Sequence, residues 1–137
     1  MILGPAPVAA LMAFAPLTAA ADAWPTGEVA APSGQAVALD ELLFEENPWS
    51  GELQVVVRLL APAIADETML YTVIRGDMDW ACDTWGLPAA GTLASPPDWV
   101  VVEMMAAPAP RGEPTPDIRR LFETYRLEGP ICIWELF

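Results

Sequence analysis

Apolar and polar positions alternate most cleanly in residues 52–60 (ELQVVVRLL). There Leu53, Val55, Val57 and Leu59 fall on one face, and Gln54, Val56 and Arg58 on the other. A period of two predicts a strand. Residues 37–46 (VALDELLFEE) predict another. Val37 and Leu39 share a face, then the phase slips to Leu42 and Phe44, as a bulge near Asp40-Glu41 explains. The turn residues Asn47-Pro48-Trp49-Ser50-Gly51 join the two as a hairpin. Residues 99–105 (WVVVEMM) and 131–137 (ICIWELF) read as two further strands.

Two stretches follow a helical period instead. Within residues 66–86, Tyr71, Ile74, Met78, Ala81, Cys82 and Trp85 form one stripe, with Asp77, Asp79 and Asp83 off it. Asp66 or Thr68 suits its start, and Gly86 before Pro88 suits its end. A second helix is predicted from Thr115-Pro116-Asp117, an N-cap, a proline at the first helical position and an anion near the dipole. Ile118, Leu121, Phe122 and Tyr125 supply its apolar stripe, and Gly129-Pro130 ends it. Residues 89–98 and the proline-rich 106–116 read as irregular. The order ββαβαβ predicts an α+β two-layer sandwich: a sheet of about four mainly antiparallel strands with two helices on one face.

The N-terminus reads differently. Residues 8–21 form an apolar run too short to span a bilayer as a helix, which takes about 20 residues. A-x-A patterns then place cleavage before Asp22 or before Trp24. Residues 1–23 are therefore expected to be a signal peptide, although no Lys or Arg precedes the run. Residues 24–35, rich in Pro, Gly and Ala, read as an irregular lead-in to a single domain over 36–137. The expected location is periplasmic or secreted, with no membrane span in the mature chain.

Composition narrows the chemistry. The 137 residues contain no histidine, all six basic residues are arginine, and the net charge is −13. Without histidine, imidazole metal ligands and Ser-His or Cys-His nucleophile pairs drop out. Without lysine, Schiff-base chemistry and the P-loop cation drop out. The negative charge argues against nucleic acid and anionic membranes. Two cysteines, Cys82 and Cys132, predict a disulfide in an exported chain.

If that disulfide forms, Cys132, Trp134 and Leu136 face the helices. Val56, Trp99, Val101, Met105, Ile131, Ile133 and Phe137 then gather on the opposite face around Arg58, Glu103 and Glu135. So apolar a face predicts an interaction surface. Other candidates are thin. Asp77, Asp79 and Asp83 make a loose acidic set in which Asp79 and Asp83 could share Ca²⁺, but a solvated helix face is the simpler reading. Glu103 and Glu135 could do paired-carboxylate work, but a cross-strand ion pair with Arg58 suits an open sheet better. Trp24, Trp49 and Trp99 are left as surface rings. No cofactor is implied.

Several strings stand out in order: Pro32-Ser33-Gly34 followed by Val37 and Leu39, residues 60–65 (LAPAIA), Asp77-Met78 with Cys82 and Leu87-Pro88, residues 100–102 (VVV), Leu121-Phe122-Glu123 with Tyr125-Arg126, and Cys132-Ile133-Trp134-Glu135 with Phe137. Together they resemble a domain-of-unknown-function family of small exported alphaproteobacterial proteins. The resemblance covers roughly residues 31–137 and implies compartment and architecture but no activity. Relatives carry Arg-Pro after the third strand, where this chain has Ala107-Pro108, so no role of that arginine carries over.

Two functions stay open. One is a non-enzymatic interaction or accessory module whose partner is another periplasmic protein with a basic rim, or a second copy. The other is a carboxylate-based small hydrolase or a Ca²⁺- or ligand-binding protein.

Overall fold

The computed structural model describes residues 23–136. The predicted leader, except for Ala23, lies outside the described residues, as does Phe137. Six strands form one curled sheet: β1 (Glu28–Ala30), β2 (Ala36–Glu46), β3 (Leu53–Leu60), β4 (Trp99–Met105), β5 (Arg120–Glu128) and β6 (Ile131–Glu135). Their order across the sheet is their order along the chain. Every neighbouring pair is antiparallel except β3 and β4, which run parallel. A parallel pair needs a long return, and the helical segment between β3 and β4 provides it. That segment comprises α1 (Tyr71–Ala81), a π-helical turn (Cys82–Gly86) and α2 (Leu87–Ala90).

The expected four-stranded sandwich with two helices is therefore wrong. The second helix is strand β5. Leu121 and Tyr125 are four apart, a spacing that keeps two residues on one side of a strand as well as of a helix. Both pack toward the helix, while Phe122 points to the other face, beside Glu103. The cap signals belong to a turn: Ile118 N–H donates to the Thr115 carbonyl at 3.0 Å, with Pro116 in the position proline favours. One short strand, β1, lies inside the expected lead-in.

The hairpin of β2 and β3 carries a register shift between Leu39 and Glu41, where the phase of the apolar residues slips. The helix starts later than the caps suggest. Residues Pro62–Ala65 form a 3₁₀ turn, and the Asp66 carboxylate accepts the Thr68 N–H at 2.9 Å, closing a local turn instead of a helix. It also ends later. Leu87 N–H reaches back five residues to the Cys82 carbonyl, and this wider turn lets Pro88 follow within the helix. Gly86 is needed for close approach, because a Cβ there would stand 2.8 Å from Val100 Cγ1.

The core lies between the helix and one sheet face. Ile74, Met78, Ala81, Cys82, Trp85 and Ala89 meet Val55, Val57 and Leu59 of β3, Val100, Val102 and Met104 of β4, and Tyr125 of β5. The Cys82–Cys132 disulfide, with Cα atoms 6.4 Å apart, ties the π turn to the edge strand β6. The Trp85 indole N–H donates to the Pro25 carbonyl at 2.8 Å and holds the lead-in on the core.

Candidate functional site

The sheet face away from the helix divides into a roofed half and an open half. Strand registers place Val56, Trp99, Val101, Met105, Ile131 and Ile133 together on this face, with Arg58, Glu103 and Glu135. These residues do not share one environment. Val56, Met105 and Glu103 have no exposed surface and Arg58 has almost none; the proline-rich segment 106–119 follows Met105 and lies against the Arg58 guanidinium through the Ala109 carbonyl.

Charge holds that roof down. Glu103 accepts Arg58 Nε–H at 2.7 Å and Arg120 Nη2–H at 2.8 Å. Arg58 also donates to Glu41 at 2.9 Å and to the Ala109 carbonyl. Arg120 donates to the Glu113 carbonyl at 2.7 Å, and Arg111 donates to Glu45 on β2 at 2.6 Å. Segment 106–119 is thus tied to β2, β3 and β5. Burial opposes the charge on Arg58, but the hydrogen bonds it donates to Glu103 and Glu41 outweigh it and raise its pKa. The hydrogen bond from Arg111 holds the Glu45 carboxyl below the usual carboxylate range. The sequence predicts an irregular 106–116 running into a helix at Thr115, with no cover over the sheet. The signal was there: two opposite charges in the middle of apolar strands need a cover.

Glu135 does not reach Glu103. It pairs with Arg126 at 2.9 Å, at the other end of the sheet face. The two carboxylates considered for paired acid/base work are therefore separated, each with its own arginine.

The open half lies toward the β2–β3 turn. Asn47 Oδ1 accepts the N–H groups of Trp49 and Ser50 at 2.8 and 3.2 Å. Gly51 takes a positive φ of 72°, a conformation glycine enters without strain. This fixed turn presents Trp49 with 94% of its surface exposed. Facing it, Trp99 donates its indole N–H to Glu52 Oε2 at 2.7 Å. Between them is a cleft of about 490 Å³, floored by Gln54, Val101 and Thr124. Phe122 adds a ring that is 48% exposed. Trp49 is the surface ring that the sequence predicts, whereas Phe122, expected on a helix, lies on a strand. Ile131 is 58% exposed at the sheet edge.

The acidic set on the helix is dispersed. Asp77 is buried and accepts from Ser33 N at 2.9 Å, from Ser33 Oγ at 2.5 Å and from Gln35 Nε2 at 2.7 Å, anchoring the β1–β2 turn. Asp79 accepts from the Tyr125 hydroxyl at 2.6 Å and from Arg75 at 3.4 Å. Burial, then the hydrogen bond to Asp79, raises the Tyr125 pKa. Burial, and then the Asp79 charge, also raises the pKa of Asp83. Among the described residues no group of three or more His, Cys, Asp or Glu could hold a metal ion. Nor is any described helix long and apolar enough to cross a membrane. Trp134 donates to Glu123 at 2.6 Å, and the Arg75 guanidinium stacks 3.5 Å above the Trp134 ring.

No curated protein matches this chain, and no solved structure does. The model of one protein family matches residues 10–137, nearly the whole sequence. The chain therefore belongs to the Family of unknown function (DUF6497).

Proposed function

We propose that this chain is an exported, disulfide-stabilised, non-enzymatic accessory module that docks on a basic protein partner through the open half of its outer sheet face. The observation that carries the reading is the near-complete exposure of Trp49 on a turn whose conformation is fixed by Asn47 and Gly51. A large ring held out in water by a fixed backbone is costly in hydration and gains by burial on a partner. Tryptophan is also among the residues most enriched where interface energy concentrates. The contribution of Val56 and Met105 to such a face is indirect: they lie beneath segment 106–119 and support it from below.

Charge favours a foreign partner over a second copy. Removal of residues 1–23 leaves a net charge of −12, so two copies repel, whereas a basic rim on the partner steers encounter. Export is supported by the leader pattern and by the disulfide, which persists in oxidising compartments. The separation of Glu103 from Glu135, each paired to arginine, speaks against the hydrolase alternative.

The test is affinity capture from periplasmic extract with the wild-type chain and with a Val101→Glu/Ile133→Glu variant. Both positions are partly exposed on the outer face, so the variant is expected to keep its fold, checked by circular dichroism and melting. A specific protein retained by the wild type is expected to be lost from the folded variant. A folded variant that retains the same protein as well as the wild type would overturn the reading.

A further inference from the structure

We propose that the cleft between Trp49 and Trp99 is a slot for an arginine side chain of the partner, with the guanidinium stacked on the Trp49 ring and hydrogen-bonded to the Glu52 carboxylate. This rests on the docking reading above and names the chemistry of the group that enters the face.

The shape suits the occupant. The cleft's volume of about 490 Å³ lies in the ~300–1,000 Å³ range of ligand pockets and admits a long side chain with part of its backbone. Its polar groups select for a donor. The Asn47 side-chain amide donates to Gln54 Oε1 at 3.3 Å, and Gln54 Nε2 donates in turn to Glu45 at 2.9 Å. Asn47 Oδ1 is already taken by two backbone N–H groups. The amides are thus spent on holding the cleft's shape. Glu52, whose Oε2 accepts the Trp99 indole N–H, lines the same cleft as Trp49. A carboxylate without a proton only accepts, so a neutral sugar hydroxyl gains less there than a cation, which also gains from the ring face.

The protein already stacks one guanidinium on an indole, with its hydrogen bond going to Asp79. Trp134 donates its indole N–H to Glu123, and Arg75 lies 3.5 Å above the Trp134 ring. Trp99 and Glu52 repeat the indole–carboxylate pair with a distance of 2.7 Å in place of 2.6 Å. Beside that second pair, Trp49 offers an exposed ring face. Guanidinium suits the site better than ammonium, because its plane stacks on indole while its edge donates to carboxylate.

The experiment uses a short peptide of alternating glycine and arginine, and the same peptide with citrulline for arginine, titrated into ¹⁵N-labelled protein. The expected result is that the indole N–H resonances of Trp49 and Trp99 move with the arginine peptide and not with its neutral analogue. Glu52→Gln and Trp49→Ala, both at exposed positions, are expected to weaken binding about tenfold each, in the range of an exposed cation–π or charge-assisted contact. Equal response to the citrulline peptide, response to a neutral oligosaccharide instead, or no indole response to any probe would each overturn the slot. Capture with Glu52→Gln separates this from the docking reading. A partner lost by Val101→Glu/Ile133→Glu but kept by Glu52→Gln sinks the slot and leaves the docking face, whereas a partner kept by both sinks the two together.

Discussion

Replacing Glu103 by glutamine tests whether charge holds segment 106–119 over the sheet. Glu103 is fully buried and accepts from Arg58 and from Arg120. Glutamine keeps the volume and one acceptor but removes the charge. Breaking a buried ion pair from one side costs about 3–5 kcal/mol, mostly because the other charge is left uncompensated. Arg58 would still have Glu41 and the Ala109 carbonyl, and Arg120 would still have the Glu113 carbonyl. The expected loss therefore sits at the low end, about 3 kcal/mol, out of a typical ~5–15 kcal/mol. With a urea m-value near 2 kcal/mol/M, the midpoint falls by about 1.5 M. Hydrogen exchange should show the amides of residues 106–119 opening more than those of β3 and β4. The reasoning is refuted if the midpoint moves by less than about 0.5 M, or if exchange in 106–119 is unchanged. Removing both charges with Arg58→Met/Glu103→Leu should recover part of the loss, since it leaves no buried charge unpaired between β3 and β4.

Two further outcomes follow from the same geometry. Protein purified from an oxidising compartment should titrate no free thiol under denaturing, non-reducing conditions, and Cys132→Ser should lose about 4 kcal/mol through the freed 50-residue loop, read as a lower melting temperature. Glu45 has its pKa depressed in the folded state, first by Arg111. Its contribution is therefore present above the unfolded value of about 4.3 and lost as pH falls through the folded value, so limited proteolysis within 106–119 should accelerate below about pH 4 in wild type and less steeply in Glu45→Gln.

The strands legible in the sequence are those whose alternation is unbroken. Residues 52–60 and 99–105 give β3 and β4 nearly to the residue, because Val55, Val57 and Leu59, and Val100 and Val102, all pack into the core. β5 was hidden by one polar position. Glu123 faces the helix side, where it accepts from the Tyr71 hydroxyl and the Trp134 indole. Its charge breaks the alternation of Leu121, Tyr125 and Leu127 and leaves the helical spacing as the stronger pattern. Thr115-Pro116-Asp117 compounded the error, because a turn and a helix start use the same residues. β1 is three residues long, too short for any period. Alternation groups the positions of the candidate face, but the division into roofed and open halves cannot be read from it, since it depends on where a proline-rich segment lies in space.

The agreement between strand order and chain order has a mechanical consequence. The two ends of the described chain lead to opposite edges of the sheet, so tension applied to them pulls across all six strands. The disulfide shields part of that path. Residues between Cys82 and Cys132, which include all of β4 and β5, cannot be paid out while the bond is intact. At about 3.3–3.6 Å per residue, the 50-residue span withholds roughly 165–180 Å of extended chain. Under load the oxidised protein surrenders β1, β2, β3 and α1 and keeps the β4–β5 hairpin out of the force line; only reduction releases the remaining length.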